Sequence, residues 1–271
     1  MKPAQLEIID PDVRLGRFTH AIFDFDGTLS LIREGWQQVM EPMFVEELAA
    51  LETSEEIESL RALVAEFVAR LTGKQTIYQM FELTEQIRRR GGSPRDPLEY
   101  KHEYLRRLET RIADRIDGLS NGRLQPERFL VPGTTSFLEG LRRRGIALCL
   151  ASGTDEPFVK READLLGLTR FFDGGVFGAL DDYKSFSKKL VIDRIIREHH
   201  LRGGELLGIG DGFVEIENTR QAGGVALGVP VKEDEPTIVD PWKRRRLIEA
   251  GAQLLTPNFA ESDALLAYLF P

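Results

Sequence analysis

The stretch Ala21-Ile22-Phe23-Asp24-Phe25-Asp26-Gly27-Thr28-Leu29 constrains this chain more than any other. Its apolar first half reads as a buried strand, Ala21 to Phe25, that runs into a glycine turn. Asp24 and Asp26 stand two positions apart at its end. In an extended strand that spacing puts both carboxylates on one face, while Gly27 lets the chain leave the strand sharply. A carboxylate is thereby presented at a strand's C-terminal end, where open α/β sheets bind ligands. Such a pair can hold a hard cation such as Mg2+. One carboxylate can also attack as a nucleophile while the other moves a proton. Taken alone, the bare Asp-x-Asp pattern favours a solvated turn.

The rest of the chain falls into two kinds of pattern. From about Ser30 to Asp117 it is helical throughout. The run Leu31 to Leu51 carries an expected break near Pro42. Ile57, Leu60, Val64, Phe67, Val68 and Leu71 recur at helical spacing, with Thr53 and Glu56 as a capping box and Gly73 as a stop. Thr76 to Arg90 is a third helix. Leu98, Leu105, Leu108, Ile112 and Ile116 mark a fourth, ended by Gly118. From Arg128 onward strands and helices alternate. Ile146–Ala151, Gly175–Phe177, Glu205–Ile209, Val225–Val229 and Gln253–Thr256 are the strand candidates. Helices are expected after Pro132-Gly133, over Glu156 to Leu166 and over Leu190 to His199. Alternation with short connections implies a mostly parallel sheet. The expected fold is a Rossmann-like α/β core, residues 1–30 and 128–271, interrupted after its first strand by an all-helical cap, residues 31–127. Met1 to Phe18 is expected to pack or pair at an edge.

At 271 residues, 42% hydrophobic and 30% charged, the chain has ample core for this arrangement. A net charge of -8 argues against non-specific nucleic-acid binding. The runs Arg88–Arg90, Arg142–Arg144 and Arg244–Arg246 sit on or beside helices and read as solvated faces. No apolar run has the length of a membrane span, and Met1 to Pro11 lacks a signal-peptide core; a cytoplasmic location is the default. The single cysteine, Cys149, excludes an internal disulfide and reads as a packed residue of its strand.

An apolar run followed by Asp-Phe-Asp-Gly-Thr-Leu resembles the first motif of the haloacid dehalogenase-like hydrolase superfamily. A helical insertion after the first strand resembles that family's C1 cap. The resemblance covers about residues 19–30 and 130–259, and the cap by placement alone. It implies that Asp24 is the nucleophile, forming an aspartyl-phosphate, and that Asp26 is the general acid and base. Ser152, just past an apolar strand, resembles the second motif and would hold a phosphate oxygen; by itself a serine there also suits a helix cap. The family places a lysine at the start of the helix before its fourth motif. Lys188 matches best through Val191 and Ile192, with Lys184 in reserve, and a solvated helix start fits at least one of Lys184, Lys188 and Lys189. Gly208-Ile209-Gly210-Asp211-Gly212-Phe213-Val214-Glu215 resembles the fourth motif, with Glu215 where the family commonly has Asp. The implied Mg2+ site is Asp24, the backbone carbonyl of Asp26, Asp211 and Glu215; Glu215 also reads as a carboxylate stabilised at a helix start.

The implied function is a Mg2+-dependent phosphatase acting on a small phosphorylated metabolite. A phosphomutase shares the first half-reaction, and a non-catalytic phospho-ligand binder is the rival from another class. An acid at Asp26 speaks against dehalogenase or phosphonatase chemistry. Arg33, Glu34, Trp36, Lys74, Gln75 and Thr76 are candidate cap contacts to substrate.

Overall fold

The structure, a computed structural model, describes residues 3–51 and 53–271. The seven strands found there are β1 (Glu7–Ile8), β2 (His20–Phe23), β3 (Ala147–Asp155), β4 (Val176–Ala179), β5 (Leu206–Gly210), β6 (Val225–Gly228) and β7 (Leu254–Leu255). They form one sheet in the order β1-β7-β6-β5-β2-β3-β4. Every neighbouring pair is parallel except β1, which runs antiparallel along β7 at the edge.

β2 lies inside the sheet, between β5 and β3, and both its faces are apolar. Ala21 and Phe23 point one way; Phe23 meets Phe137 and Phe172 edge-on, and Phe137 stacks on Phe259 at 4.7 Å. Ile22 points the other way, into a cluster with Cys149, Ile192 and Leu206. Each buried phenylalanine contributes about 2–3 kcal/mol through area removed from water. Cys149 is packed as expected, and burial pushes its thiol pKa up to about 12. Phe23 is in register with Leu150 on one side and Ile209 on the other, which aligns the C-terminal ends of β2, β3 and β5.

The first four of the five α-helices between β2 and β3 are α1 (Gln37–Ala49), α2 (Ile57–Leu71), α3 (Ile77–Arg89) and α4 (Pro97–Ser120). They form the all-helical cap. Helices α5 (Thr134–Arg143), α6 (Glu156–Leu165), α7 (Lys188–Glu198), α8 (Phe213–Gln221), α9 (Pro241–Glu249) and α10 (Ser262–Leu269) belong to the α/β core. The chain leaves the core and returns side by side. Leu31 N–H donates to the Phe129 carbonyl at 2.8 Å and Val131 N–H to that of Leu29 at 3.0 Å, an antiparallel ribbon about Ser30 and Leu130. Two further ties hold cap to core. Arg246 donates to the Ala69 and Arg70 carbonyls at the end of α2, at 2.6 and 3.0 Å, and Gln75 Nε2 donates to the Phe186 carbonyl at 2.7 Å.

Several boundaries differ from expectation for physical reasons. α1 begins six residues after Leu31 and passes through Pro42 unbroken. Pro42 is exposed, and Met40, Met43, Phe44 and Leu48 anchor the helix around it. Thr53 and Glu56 make no capping box: Glu56 itself is the N-cap and the Thr53 hydroxyl turns to Glu55. α4 continues past Gly118 because that glycine serves close packing. A Cβ there would lie 2.4 Å from Leu124 Cδ1. β2 ends two residues early, since the Phe25 carbonyl accepts from Thr28, Leu29 and Ser30 N–H and folds the chain into a tight turn. β3, by contrast, runs on through Ser152 to Asp155 with a register irregularity.

Candidate active site

A cavity opens between the cap and the C-terminal ends of β2, β3 and β5. Asp24, Asp26, Ser152, Lys188 and Asp211 all line it. Glu215 lies just behind, 3% exposed, in the first turn of α8. Gly27 makes the turn that brings these elements together. Its φ is +71°, and a Cβ would fall 2.3 Å from Asp211 Oδ2.

Asp24 is buried directly after β2, its N–H held by the Ile209 carbonyl at 2.9 Å. Lys188, the first residue of α7, reaches it from the opposite side. Its Nζ lies 2.9 Å from Asp24 Oδ2 and 2.8 Å from Glu215 Oε2. Glu215 Oε1 accepts the Gly212 N–H, so this acid closes the start of α8 and neutralises Lys188 together. Of the three candidate lysines only Lys188 enters the cavity. Lys184 lies over the Tyr183 ring and Lys189 pairs with Asp193 on the surface.

Asp26 faces different partners. Its Oδ2 accepts from Ser152 Oγ at 3.2 Å and from Thr154 Oγ1 at 2.8 Å. Its Oδ1 has no hydrogen-bond partner among the described residues; Arg33 Nε stands 3.9 Å away. Ser152 therefore sits on Asp26 as well as on the cavity. Arg33 does not present a free guanidinium, because Glu162, fully buried, takes its Nε at 3.0 Å and its Nη2 at 2.6 Å. Among the other cap candidates, Trp36, Lys74 and Thr76 line the cavity. Glu34 pairs with Arg115 instead, and Gln75 is spent on the Phe186 tie.

Four contributors escaped the sequence reading. Thr28 exchanges hydrogen bonds with Asp211, donating to Oδ1 and accepting its N–H. Thr154 shares the Ser152 face of β3, and the two-residue period of a strand could have found it. Lys243 Nζ lies 2.6 Å from Asp211 Oδ2 and 2.7 Å from Glu233 Oε1. Lys243 and Glu233 arrive on the connection after β6, and no local spacing announces them.

Oxygens of Asp24, Asp211 and Glu215 lie within 4.8 Å of one another. With Glu233, four carboxylates here face the two ammoniums of Lys188 and Lys243. Burial would lower both lysines, but the paired carboxylates more than offset it and hold them above the usual lysine range. Asp24 remains short of positive charge. Burial raises its pKa well above the carboxylate norm, Lys188 opposes that, and Glu215 and Asp211 push it further up. An all-oxygen donor set with excess negative charge suits a hard divalent cation.

Asp26 is raised from 3.8 to about 6, chiefly by burial, with Arg33 opposing and Glu162 reinforcing. The folded protein thus binds this proton more tightly than the unfolded chain, so wild-type stability falls as pH rises from about 4 to 6. Asp26→Asn removes that titration. In the cation-free protein it should be more stable than wild type by about 1–3 kcal/mol at pH 7. The gap should close as pH falls below 4, where even the unfolded carboxyl is protonated. Urea denaturation at both pH values reads this directly; a pH-independent difference would contradict it.

A buried carboxylate at the end of an inner strand, a glycine turn carrying a second acid and a cluster of acids opposite a helical cap mark a capped α/β fold. The family model described as haloacid dehalogenase-like hydrolase matches residues 18–223, and the chain belongs to that family. No curated protein matches the sequence. Solved structures agree on the fold. One is a conserved haloacid dehalogenase-like protein of unknown function from Agrobacterium tumefaciens, at 16% identity and TM-score 0.59, covering 94% of this chain and 100% of that one. Another is a predicted phosphoglycolate phosphatase from Haemophilus somnus, at 14% identity and TM-score 0.58, covering 93% and 99%. A third is CbbY from Rhodobacter sphaeroides in complex with xylulose-(1,5)bisphosphate, at 20% identity and TM-score 0.57, covering 90% and 96%. Among the described residues no helix is long and apolar enough to cross a membrane.

Proposed function

We propose that this chain is a Mg2+-dependent phosphatase that hydrolyses a small phosphorylated metabolite through an aspartyl-phosphate on Asp24. The observation that carries the reading is the pairing of Asp24 with Lys188 beside Asp211 and Glu215, two residues before an acid with one unengaged oxygen. Asp24 attacks phosphorus as the ester P–O bond breaks, and the leaving oxygen takes its proton from Asp26. Asp26, now a carboxylate, removes a proton from water. That water attacks phosphorus, freeing phosphate and restoring Asp24. Lys188 and Ser152 hold phosphoryl oxygens. Asp24, the Asp26 carbonyl, Asp211 and Glu215 would hold or support the cation, which supplies charge neutralisation for the anionic transition state.

Phosphate release from a generic phosphomonoester should therefore require Mg2+ and stop with chelator. Asp211→Ala should lose metal-dependent activity almost entirely. Glu215→Gln keeps an acceptor for one of Gly212 N–H and Lys188 but drops the charge, and should raise the Mg2+ needed for half-maximal activity by about 10-fold or more. An unchanged Mg2+ requirement would leave Glu215 as a helix-start residue only. Release that persists in chelator would overturn the metal-dependent reading. A phosphomutase would return an isomeric phosphoester in place of inorganic phosphate, which product analysis separates.

A further inference from the structure

The cap end of the cavity has a chemistry of its own. Trp36, with Met40 on α1 and Tyr104, Leu105 and Leu108 on α4, forms an apolar floor. Met40, Tyr104, Leu105 and Leu108 are 1–7% exposed, so the floor is rigid and shielded. Into it comes one polar side chain from α3. Gln79 lines the cavity, is 4% exposed, and its buried Oε1 has no hydrogen-bond partner among the described residues. A buried amide left unpaired costs free energy, and a group supplied from outside recovers it.

On the same wall most of the positive charge is already paired. Four cationic side chains line the cavity. Arg33 is taken by Glu162, Lys188 by Asp24 and Glu215, and Lys243 by Asp211 and Glu233. The fourth, Lys74, is exposed and lies over the Tyr78 ring. A second anionic group buried among the floor residues would meet only apolar side chains and the Gln79 amide.

We infer that the alcohol released by this enzyme is neutral and largely apolar, with a hydroxyl that bonds to Gln79. The phosphoryl group occupies the core end and the carbon skeleton lies on the floor between Trp36 and Leu108. A hydroxyl both donates and accepts, so it satisfies either end of the glutamine amide. A second phosphate or carboxylate seated on the floor is disfavoured by charge. This inference rests on the phosphatase reading and goes beyond it by naming the substrate class.

The test uses three esters with the same leaving oxygen: benzyl phosphate, 3-(hydroxymethyl)benzyl phosphate and 3-carboxybenzyl phosphate. On the full chain with Mg2+, kcat/KM should fall by about 100-fold or more from the hydroxymethyl to the carboxy ester. The hydroxymethyl ester should exceed benzyl phosphate by about 10-fold. Gln79→Met, similar in volume, should abolish that advantage, the ratio of the two esters being the readout. Gln79→Lys should narrow or reverse the penalty on the carboxy ester. Binding to Asp24→Asn, read by quenching of Trp36 and Trp242, the two tryptophans of the chain and both in the cavity wall, should rank the esters the same way. A carboxy ester bound or turned over as well as the hydroxymethyl ester overturns the substrate class while leaving the phosphatase standing. So does an advantage that survives in Gln79→Met. The expected ranking in binding with no phosphate released from any ester overturns the phosphatase and leaves the class. Neither binding nor release overturns both.

Discussion

Asp24→Asn should release phosphate at least about 10,000-fold more slowly than the wild-type chain. The amide cannot attack phosphorus, so neither chemical step begins. The variant should nevertheless fold, because the substituted side chain keeps the shape of the aspartate and an acceptor for Lys188, which lies 2.9 Å from Asp24 in the wild-type chain. Asp26→Asn should fail differently. Its nucleophile is intact, and the lost functions are protonation of the leaving oxygen and activation of water, worth about 100- to 10,000-fold. An ester with a leaving group that needs no proton should restore the first step in Asp26→Asn and not in Asp24→Asn. Phosphoenzyme should then accumulate in Asp26→Asn, visible by quenched-flow with labelled substrate. Near wild-type release from Asp24→Asn would remove the aspartate from the role of nucleophile.

The second large effect is on stability. Arg33 is 4% exposed and Glu162 is fully buried. Their two hydrogen bonds tie the start of the cap to α6. Arg33→Met leaves the Glu162 carboxylate buried, with Arg161 Nη2 at 3.2 Å as its remaining cation. Breaking one side of a buried pair costs about 3–5 kcal/mol. For a chain of this size that lowers Tm by about 6–15 °C. The double substitution Arg33→Met with Glu162→Leu should recover most of the loss, since an apolar replacement removes the stranded charge as well. Thermal unfolding of the two single variants and the double variant completes the cycle. A Tm unchanged in Arg33→Met would mean that Arg161 alone suffices for Glu162.

The strands of the core were legible in the sequence because each is a short apolar run closed by glycine or a small polar residue, as at Phe23 and Ile209. The four cap helices were legible as stripes, although their ends were not. Pro42 and Gly118 carry strong local signals that packing overrides, Pro42 by facing solvent and Gly118 by yielding space to Leu124. The acids and Lys188 were legible only because their spacing resembles known motifs. Asp24 and Lys188 are far apart in sequence and nothing in the intervening composition brings them together. Lys243 and Glu233 follow from how the connection after β6 folds back over Asp211, a tertiary event with no periodic trace. The Arg33–Glu162 pair spans 129 positions and was hidden for the same reason.

The ribbon formed by residues 29–31 and 129–131 determines how the two halves can move. Two independent tethers would let the cap tumble about several axes. Two tethers hydrogen-bonded to each other bend as one strip, which leaves a single hinge line for any cap motion that breaks the Arg246 and Gln75 ties to the core. That hinge begins three residues beyond Asp26, within the turn where Gly27 N–H is held by the Ser30 carbonyl at 2.9 Å. Any opening about that line therefore pulls on the turn that carries Asp26, so the position of this carboxyl and the position of the cap are geared to one another.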